Sequence, residues 1–300
     1  MPSLRSHIVR FMIGHVVGPK FKRARSVSEL RKLDEYIIKH QKIPTGTEIS
    51  PVQDEGITAE WVRAPSAQTE RAILYLHGGA FLMCSPATHR ELAARLSACT
   101  NAAVLVLDYR LAPECPFPAA MQDVVSAYRW LLDQGYPERH IVIGGDSAGG
   151  GLALQALIAL RDEGSPLPAA AFFLSPVTDW VRFDGESFST RANVDPLNTP
   201  KMCRLAASHY VGGNDPETPL LSPANTDLSG LPPLCIHVGD REVLLSDSVR
   251  LAERAGACDV DVAFKIWPGM WHVFPTSARF VPEARRSIDE IGRFVVKHMR

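Results

Sequence analysis

Apolar residues fall into short runs separated by longer stretches of helical spacing along most of this chain. Continuous or alternating apolar positions predict seven strands, at 58–62, 71–76, 102–107, 141–143, 170–174, 234–238 and 260–266. Helical spacing predicts helices at 90–100, 121–134, 151–162, 246–257 and 283–297. Apolar strands that alternate with helices indicate a mostly parallel sheet covered on both faces, so we expect an α/β fold.

Two amphipathic helices are predicted ahead of the first strand. Large apolar residues recur at helical spacing in two sets, Leu4, Ile8, Phe11, Met12 and Val16, then Val27, Leu30, Leu33, Ile37 and Ile38. Such apolar faces serve to cover a core, to close over an active site or to touch a membrane. A second segment, 181–213, lacks a strand signal and carries a predicted helix at 200–210. We therefore expect a discontinuous helical cap of 1–45 and 181–213 on an α/β core of 46–180 and 214–300.

Composition narrows the class of protein without identifying it. The chain has 300 residues, of which 46% are hydrophobic, and a formal net charge of −1. This near-neutral charge gives no electrostatic basis for binding nucleic acid or an anionic membrane. Six scattered cysteines with no Cys-x-x-Cys pair are interpreted as reduced thiols of a cytoplasmic protein, and a zinc site is not expected. Neither a signal peptide nor an apolar run of membrane-spanning length is predicted.

A glycine-rich turn around Ser147 carries the first sign of chemistry. The run Gly145-Asp146-Ser147-Ala148-Gly149 lies between a predicted strand and a predicted helix, which is the setting of the nucleophile elbow in serine hydrolases. Glycines flank the serine because the turn is strained and side chains there would clash. The alternative is an ordinary serine in a flexible loop. The two interpretations differ in whether a base, an acid and oxyanion donors accompany the serine.

Those partners are present in a suitable order. The run His77-Gly78-Gly79-Ala80 follows the strand 71–76, and the N–H groups of Gly78 and Gly79, with that of Ala148, are expected to hold an oxyanion. His272 follows the last predicted strand and is the expected base.

The acid that orients this base is expected after the strand 234–238. Asp240 and Glu242 both stand there, and the residues alone leave the choice between them open. Each also has an ordinary structural role available, Asp240 in closing a turn and Glu242 in the first turn of the next helix.

Five motifs in order resemble the bacterial hormone-sensitive-lipase-like esterases and lipases, family IV of the α/β-hydrolases. They are His77-Gly78-Gly79-Ala80, the run 108–114 (Asp-Tyr-Arg-Leu-Ala-Pro-Glu), the run 117–120 (Phe-Pro-Ala-Ala), the run 145–150 around Ser147, and Ser175-Pro176. The resemblance covers roughly residues 70–290 and implies an α/β-hydrolase fold with a helical cap. It departs from the family pattern at Ala80, where a third glycine is usual.

The resemblance also favours Glu242 as the acid. Most family members carry Asp-Pro-Leu-x-Asp-Glu with the first Asp catalytic, whereas this chain reads Gly239-Asp240-Arg241-Glu242. Glu242 lies nine residues after Pro233 and 30 before His272, and this is the spacing of the acid in the family. A subset of the family resembles this form and uses a glutamate.

The implied activity is that of a carboxylesterase with a Ser147, Glu242 and His272 triad, acting on short- to medium-chain esters without a metal or other cofactor. An amidase or deacetylase, or a longer-chain lipase, on the same triad is the alternative. A non-catalytic small-molecule receptor, as some relatives are, would have lost His272. The resemblance further implies a homodimer. Cap residues Phe183, Met202 and Leu205 are expected either to line the acyl pocket or to pack within the cap.

Overall fold

An eight-stranded sheet forms the centre of the computed structural model, which describes residues 2–24 and 26–299. The strands are β1 (Glu48–Asp54), β2 (Ile57–Arg63), β3 (Gln68–Leu76), β4 (Ala102–Leu107), β5 (Ile141–Asp146), β6 (Ala170–Leu174), β7 (Leu234–Gly239) and β8 (Val262–Trp267). Their spatial order is β1-β2-β4-β3-β5-β6-β7-β8. β1 and β2 run antiparallel to their neighbours, and the remaining strands pair in parallel.

Helices cover both faces of this sheet. They are α1 (Leu4–Met12), α2 (Gly18–Arg23), α3 (Val27–His40), α4 (Pro86–Thr100), α5 (Ala119–Asp133), α6 (Ala148–Asp162), α7 (Ser187–Thr190), α8 (Pro200–Val211), α9 (Leu245–Ala257) and α10 (Pro282–His298). Two large clusters of buried apolar side chains, one on each face, account for the continuous apolar runs of the central strands. The predicted α/β fold is therefore confirmed.

The carboxyl ends of three central strands meet at one edge of the sheet. Leu76 of β3 pairs with Gly145 of β5, and Asp146 of β5 pairs with Leu174 of β6. In a parallel sheet the loops that leave these ends are neighbours in space, although they are far apart in sequence. The loop after β3 and the turn at Ser147 are brought together in this way.

β1 is a strand that the apolar pattern did not predict. It pairs with β2 as a hairpin, and Glu55 and Gly56 form the turn with φ angles of 48° and 81°. Pro51 lies within this strand, and the side chains of β1 are mostly exposed, which fits a position at the edge of the sheet. An edge strand needs only partial burial, so its sequence shows little of the alternation that marks an interior strand.

The N-terminal helices lie against the segment that precedes α8. α1 continues through a π-helical turn at Ile13–Val17 into α2, and a Cβ added to Gly18 would stand 2.0 Å from the backbone oxygen of Pro196. Lys22 Nζ also donates to the backbone oxygen of Asp195 at 3.1 Å. The two segments predicted to form the cap thus touch each other, and the division into cap and core stays a prediction.

The apolar face that predicted α1 does not cover the core. Leu4, Ile8, Phe11, Met12 and Val16 are all exposed to solvent. The half-buried Val9 and Ile13 make the contacts with the buried cluster instead. The interpretation of the predicted apolar face as a core-covering face is therefore wrong for this helix. Among the described residues, no helix combines the length and the apolar character that crossing a bilayer requires.

Candidate active site

The turn between β5 and α6 holds Ser147 in a strained conformation. Its φ and ψ angles are 53° and −120°, a combination that costs free energy for a non-glycine residue. The flanking glycines make the turn sterically accessible. A Cβ on Gly145 would lie 2.6 Å from the Gly149 carbonyl carbon, and one on Gly149 would lie 2.1 Å from the Leu76 oxygen. The serine is therefore presented at the start of α6, where helix N–H groups are free.

Ser147, His272 and Glu242 form one continuous hydrogen-bonded chain. His272 Nε2 lies 2.9 Å from Ser147 Oγ, and His272 Nδ1 lies 2.7 Å from Glu242 Oε2. Glu242 is fully buried and His272 is 7% exposed. A serine hydroxyl next to an imidazole that a buried carboxylate orients can lose its proton to that imidazole as it attacks a carbonyl carbon.

The second oxygen of Glu242 is held by two further donors. Gly239 N–H donates to Oε1 at 2.7 Å, and Ser175 Oγ donates to the same oxygen at 2.8 Å. Ser175 Oγ also accepts from the Val273 N–H at 3.1 Å, so it links the acid to the residue after His272. The motif Ser175-Pro176 was the only sequence signal for this link, and its contacts could not be inferred from the sequence.

Asp240 makes different contacts from Glu242. Its Oδ1 accepts from the Gly269 N–H at 2.7 Å, and its side chain is 35% exposed. This is the turn-closing role that the sequence left open for it. The structure thus brings Glu242 and not Asp240 into contact with His272.

A third carboxylate, that of Asp195, stands close to the acid. It is 2% exposed and comes from the segment before α8. Asp195 Oδ2 accepts from the Val243 N–H at 3.0 Å, and its Oδ1 accepts from the N–H groups of Leu197 and Asn198 at 2.8 and 2.9 Å. Burial raises the pKa of Asp195, while the charge of His272 acts against that shift. No motif in the sequence pointed to this residue.

The surroundings of His272 raise its pKa above the ordinary histidine value. Burial alone would lower the pKa of His272, but the hydrogen bond and charge of Glu242, followed by the charges of Asp195 and Asp146, outweigh burial and raise it. An imidazolium formed during a reaction would be stabilised by the same groups.

One predicted oxyanion donor is already engaged. The Gly78 N–H donates to Asp146 Oδ1 at 3.0 Å, and the same oxygen accepts from Tyr75 Oη at 2.7 Å. Burial would raise the pKa of Asp146, but the charge and hydrogen bond of His89, 3.2 Å away, help to lower it. An N–H held by a buried carboxylate is not free for a substrate. Gly78 is therefore removed from the expected set of oxyanion donors.

The N–H groups of the next two residues, unlike that of Gly78, are not engaged by an acceptor in the described chain. Gly79 and Ala80 have φ angles of 115° and 58°, and neither N–H has an acceptor among the described residues. The third expected donor, the N–H of Ala148, is in the first turn of α6. Gly79, Ala80 and Ser147 line the same cavity. Three free N–H groups are thus available on the loop after β3 and at the start of α6.

This cavity has a volume of about 450 Å³ and a mostly apolar lining. The N-terminal helices contribute Ile13, Val17 and Phe21, and α8 contributes Met202 and Leu205. Met202 and Leu205 therefore line it as expected. Phe183 is instead buried against Phe188, with ring centroids 5.2 Å apart. A cavity of this size and polarity suits a small, largely apolar ligand.

Comparison with known proteins identifies the family. The sequence pattern of the α/β-hydrolase fold matches residues 73–276. A solved esterase of the bacterial hormone-sensitive lipase family superposes with a TM-score of 0.94 at 40% identity, covering 100% of both chains. The chain belongs to this family. As a bacterial hormone-sensitive-lipase-like esterase, the protein is a carboxylic ester hydrolase.

Relatives of this chain have names that state an activity. An acetyl-hydrolase of Streptomyces hygroscopicus is 48% identical over 238 residues, which are 79% of this chain and 79% of the relative. An esterase of Acinetobacter venetianus is 36% identical, over 82% of this chain and 81% of its own. The solved structure of EstE5, soaked with p-nitrophenyl butyrate, is 41% identical with a TM-score of 0.93 over 99% of both chains.

Proposed function

We propose that this family member is a carboxylesterase that cleaves short- to medium-chain esters through a Ser147, His272 and Glu242 triad. The observation that carries the proposal is the chain of hydrogen bonds from Glu242 to His272 at 2.7 Å and from His272 to Ser147 at 2.9 Å. The strained elbow at Ser147 and the free N–H groups beside it support the same assignment.

Acylation follows from this arrangement. Ser147 Oγ attacks the ester carbonyl carbon as its proton passes to His272 Nε2, and Glu242 stabilises the resulting imidazolium. The carbonyl oxygen becomes an oxyanion, for which we propose the N–H groups of Gly79, Ala80 and Ala148 as donors. When the tetrahedral intermediate collapses, the bond to the alcohol oxygen breaks. That oxygen takes the proton from His272, which leaves an acyl-enzyme.

Deacylation repeats the cycle with water. Water attacks the acyl carbon as it gives a proton to His272 Nε2, and the second tetrahedral intermediate expels Ser147 Oγ. The serine recovers its proton from His272, and the carboxylic acid leaves. Each step needs only proton transfer and oxyanion stabilisation, so no cofactor enters the scheme.

The preference for shorter acyl groups is inferred from the apolar cavity. The cavity has a volume of about 450 Å³, and the proposed cap closes one side of it. The relatives named acetyl-hydrolase and the esterase soaked with p-nitrophenyl butyrate are consistent with acyl groups of this size.

Hydrolysis of p-nitrophenyl acetate, butyrate, octanoate and palmitate by wild type and Ser147→Ala tests the proposal. The variant should lose about 10⁴-fold or more in kcat, while Ser229→Ala, at an exposed serine before β7, should retain activity. In wild type, kcat/KM should be at least about tenfold lower for the palmitate ester than for the best shorter ester, because one cavity cannot bury the longer chain. An active Ser147→Ala variant would rule out the mechanism, and a palmitate optimum would rule out the chain-length proposal.

Amide cleavage on the same triad is the second candidate, because the 48% identical relative is named an acetyl-hydrolase and that name does not specify an ester. p-Nitroacetanilide and p-nitrophenyl acetate share the acetyl group and differ in the atom that leaves. A comparison of kcat/KM for the two separates an amidase from an esterase. The ester should be the better substrate by several powers of ten.

A further inference from the structure

The outward face of α1 and of the π-helical turn after it is unusually apolar for a surface helix. Leu4 is 76% exposed and Phe11 is 64% exposed, and Ile8, Met12 and Val16 are each exposed by at least half. We call these five residues the rim face. Single exposed apolar residues are common on protein surfaces. A contiguous set on one helix face instead indicates a surface that binds another molecule or a membrane.

This face adjoins the mouth of the active-site cavity. Ile13 and Val17, on the turn that follows α1, line the cavity, while the neighbouring Met12 and Val16 point to solvent. Two other cavity-lining residues, Leu205 and Phe280, are 47% and 53% exposed and so lie at the mouth themselves. Apolar surface therefore continues from the rim face to the opening through which a substrate would pass.

The segment that carries the rim face is basic. Residues 1–28 contain six basic residues, counting Lys and Arg together, and no Asp or Glu, although the whole chain has a formal net charge of −1. Arg5, Lys20, Lys22 and Arg23 are exposed. A partner for this surface should therefore combine apolar material with negative charge, as the interface between anionic lipid and water does.

A second copy of the chain is a poorer fit to the same surface. In a twofold dimer through the rim face, the basic segment of one protomer would face the identical segment of its partner. Like charges brought together in this way oppose association. Charge complementarity thus favours a lipid surface.

We propose that the rim face inserts into the surface of anionic lipid aggregates, with the mouth of the cavity turned towards them. Binding would involve the apolar side chains of the rim face in the acyl region and the flanking basic side chains at the headgroups. Binding itself is independent of the proposed esterase mechanism. Delivery of esters from the lipid surface to Ser147 rests on that mechanism.

Vesicle cosedimentation of the full chain tests the binding. Vesicles of phosphatidylcholine with about one third phosphatidylglycerol should bind the protein at least about tenfold more tightly than phosphatidylcholine alone, and 0.5 M NaCl should weaken the binding. Ile8→Ser/Phe11→Ser should lose at least about tenfold in partition coefficient, since both side chains would be buried in lipid. Ile266→Ser/Val296→Ser changes two exposed apolar residues of β8 and α10 and should bind like wild type.

Further measurements separate this proposal from its rivals. Ser147→Ala should bind vesicles like wild type, so an error in the catalytic scheme would leave the binding result intact. The rim-face variant should keep its kcat/KM on soluble p-nitrophenyl acetate, which shows that it is folded. The proposal is overturned if anionic vesicles bind no better than neutral ones or if the rim-face variant binds as wild type does. It is also overturned if sedimentation equilibrium shows a dimer that only this variant dissociates.

Discussion

At the scale of single residues, the choice between two neighbouring carboxylates decides how His272 is oriented. Glu242 is fully buried and contacts the imidazole, whereas Asp240 is partly exposed and closes the turn at Gly269. Glu242→Gln should lower kcat/KM by about 10³- to 10⁴-fold, because an amide cannot stabilise the imidazolium and can favour the wrong tautomer. Asp240→Asn should stay within about threefold of wild type. Steady-state kinetics on one soluble ester, with melting temperatures as a check on folding, compare the two.

The reverse pattern, with Asp240→Asn inactive and Glu242→Gln active, would contradict the assignment of the acid. Loss of activity in both variants with unchanged melting temperatures would show that the Gly269 turn matters as much as the acid.

The raised pKa of His272 has a predictable effect on the pH profile. The base must be neutral to accept the serine proton, so kcat/KM should fall as the pH drops through this pKa, which lies above the ordinary histidine value. Asp195→Asn removes a negative charge that favours the imidazolium, so its acidic limb should move to lower pH. Rate profiles between pH 5 and 9 measure the shift.

Asp133→Asn is the control for this shift, because Asp133 is an exposed carboxylate at the end of α5. If the acidic limb of Asp195→Asn coincided with those of wild type and the control, Asp195 would have no electrostatic influence on the base.

At the scale of elements, α3 holds the loop that carries the proposed oxyanion donors. Both carboxylate oxygens of Asp34 accept from the Cys84 N–H, at 3.2 and 3.1 Å. Arg31 donates to the Leu82 backbone oxygen at 2.9 Å and pairs with Glu114. Residues 79–84 include four with positive φ, so the loop depends on such outside contacts to keep its shape.

Asp34→Ala should therefore affect both stability and catalysis. The Cys84 N–H would lose its acceptor, which should cost about 1–3 kcal/mol in the free energy of unfolding and reduce kcat on soluble esters. Asp34→Asn keeps an acceptor oxygen and should recover most of both. Urea unfolding and kinetics on the same preparations provide the measurement. Equal losses in the Ala and Asn variants would indicate that charge and not the hydrogen bond matters.

The elements also show where sequence patterns succeed and fail. Strands such as 102–107 and 170–174 were predicted with their observed bounds, because burial on both faces produces an uninterrupted apolar run. β1 was missed because an edge strand with a proline has no such run. α1 was predicted as a helix with three possible roles for its apolar face, and the structure rules out the role of covering the core because that face is exposed. Periodicity reports that a face is apolar and does not report what covers it.

At the scale of the whole molecule, buried histidines should make stability depend on pH. Burial lowers the pKa of His77 and His237 to about 3. In the unfolded state both side chains have an ordinary pKa near 6.5. Below that pH the unfolded state therefore binds more protons than the folded state. Each histidine should therefore remove about 1.4 kcal/mol of stability per pH unit between about pH 6 and 4.

His237→Asn isolates one of these contributions. His237 lies in β7 and contacts Ser287 at 2.8 Å, outside the triad. The variant should show a slope of unfolding free energy against pH that is smaller by about 1.4 kcal/mol per unit than that of wild type, whatever its absolute stability. Urea titrations at several pH values measure it, with the exposed His7→Asn as control. An unchanged slope would mean that His237 is protonated in the folded state.

The quaternary structure is a separate matter at this scale. The homodimer that the family resemblance implies stays a prediction, and sedimentation equilibrium of the full chain would check it.

The sequence by itself determined the α/β fold, the glycine-rich turn at Ser147 and the family, and it indicated His272 as the expected base, because these depend on local patterns. A buried strand, a Gly-x-Ser-x-Gly turn and a histidine after the last strand are each legible within a few residues. The family resemblance favoured Glu242 over Asp240, and the structure shows the contact of Glu242 with His272. Tertiary structure alone decided that Asp195 and Ser175 lie beside that acid and that the Gly78 N–H binds Asp146. Those contacts join residues that are up to 98 positions apart. They are set by how strand ends and loops meet in space, which no local pattern records.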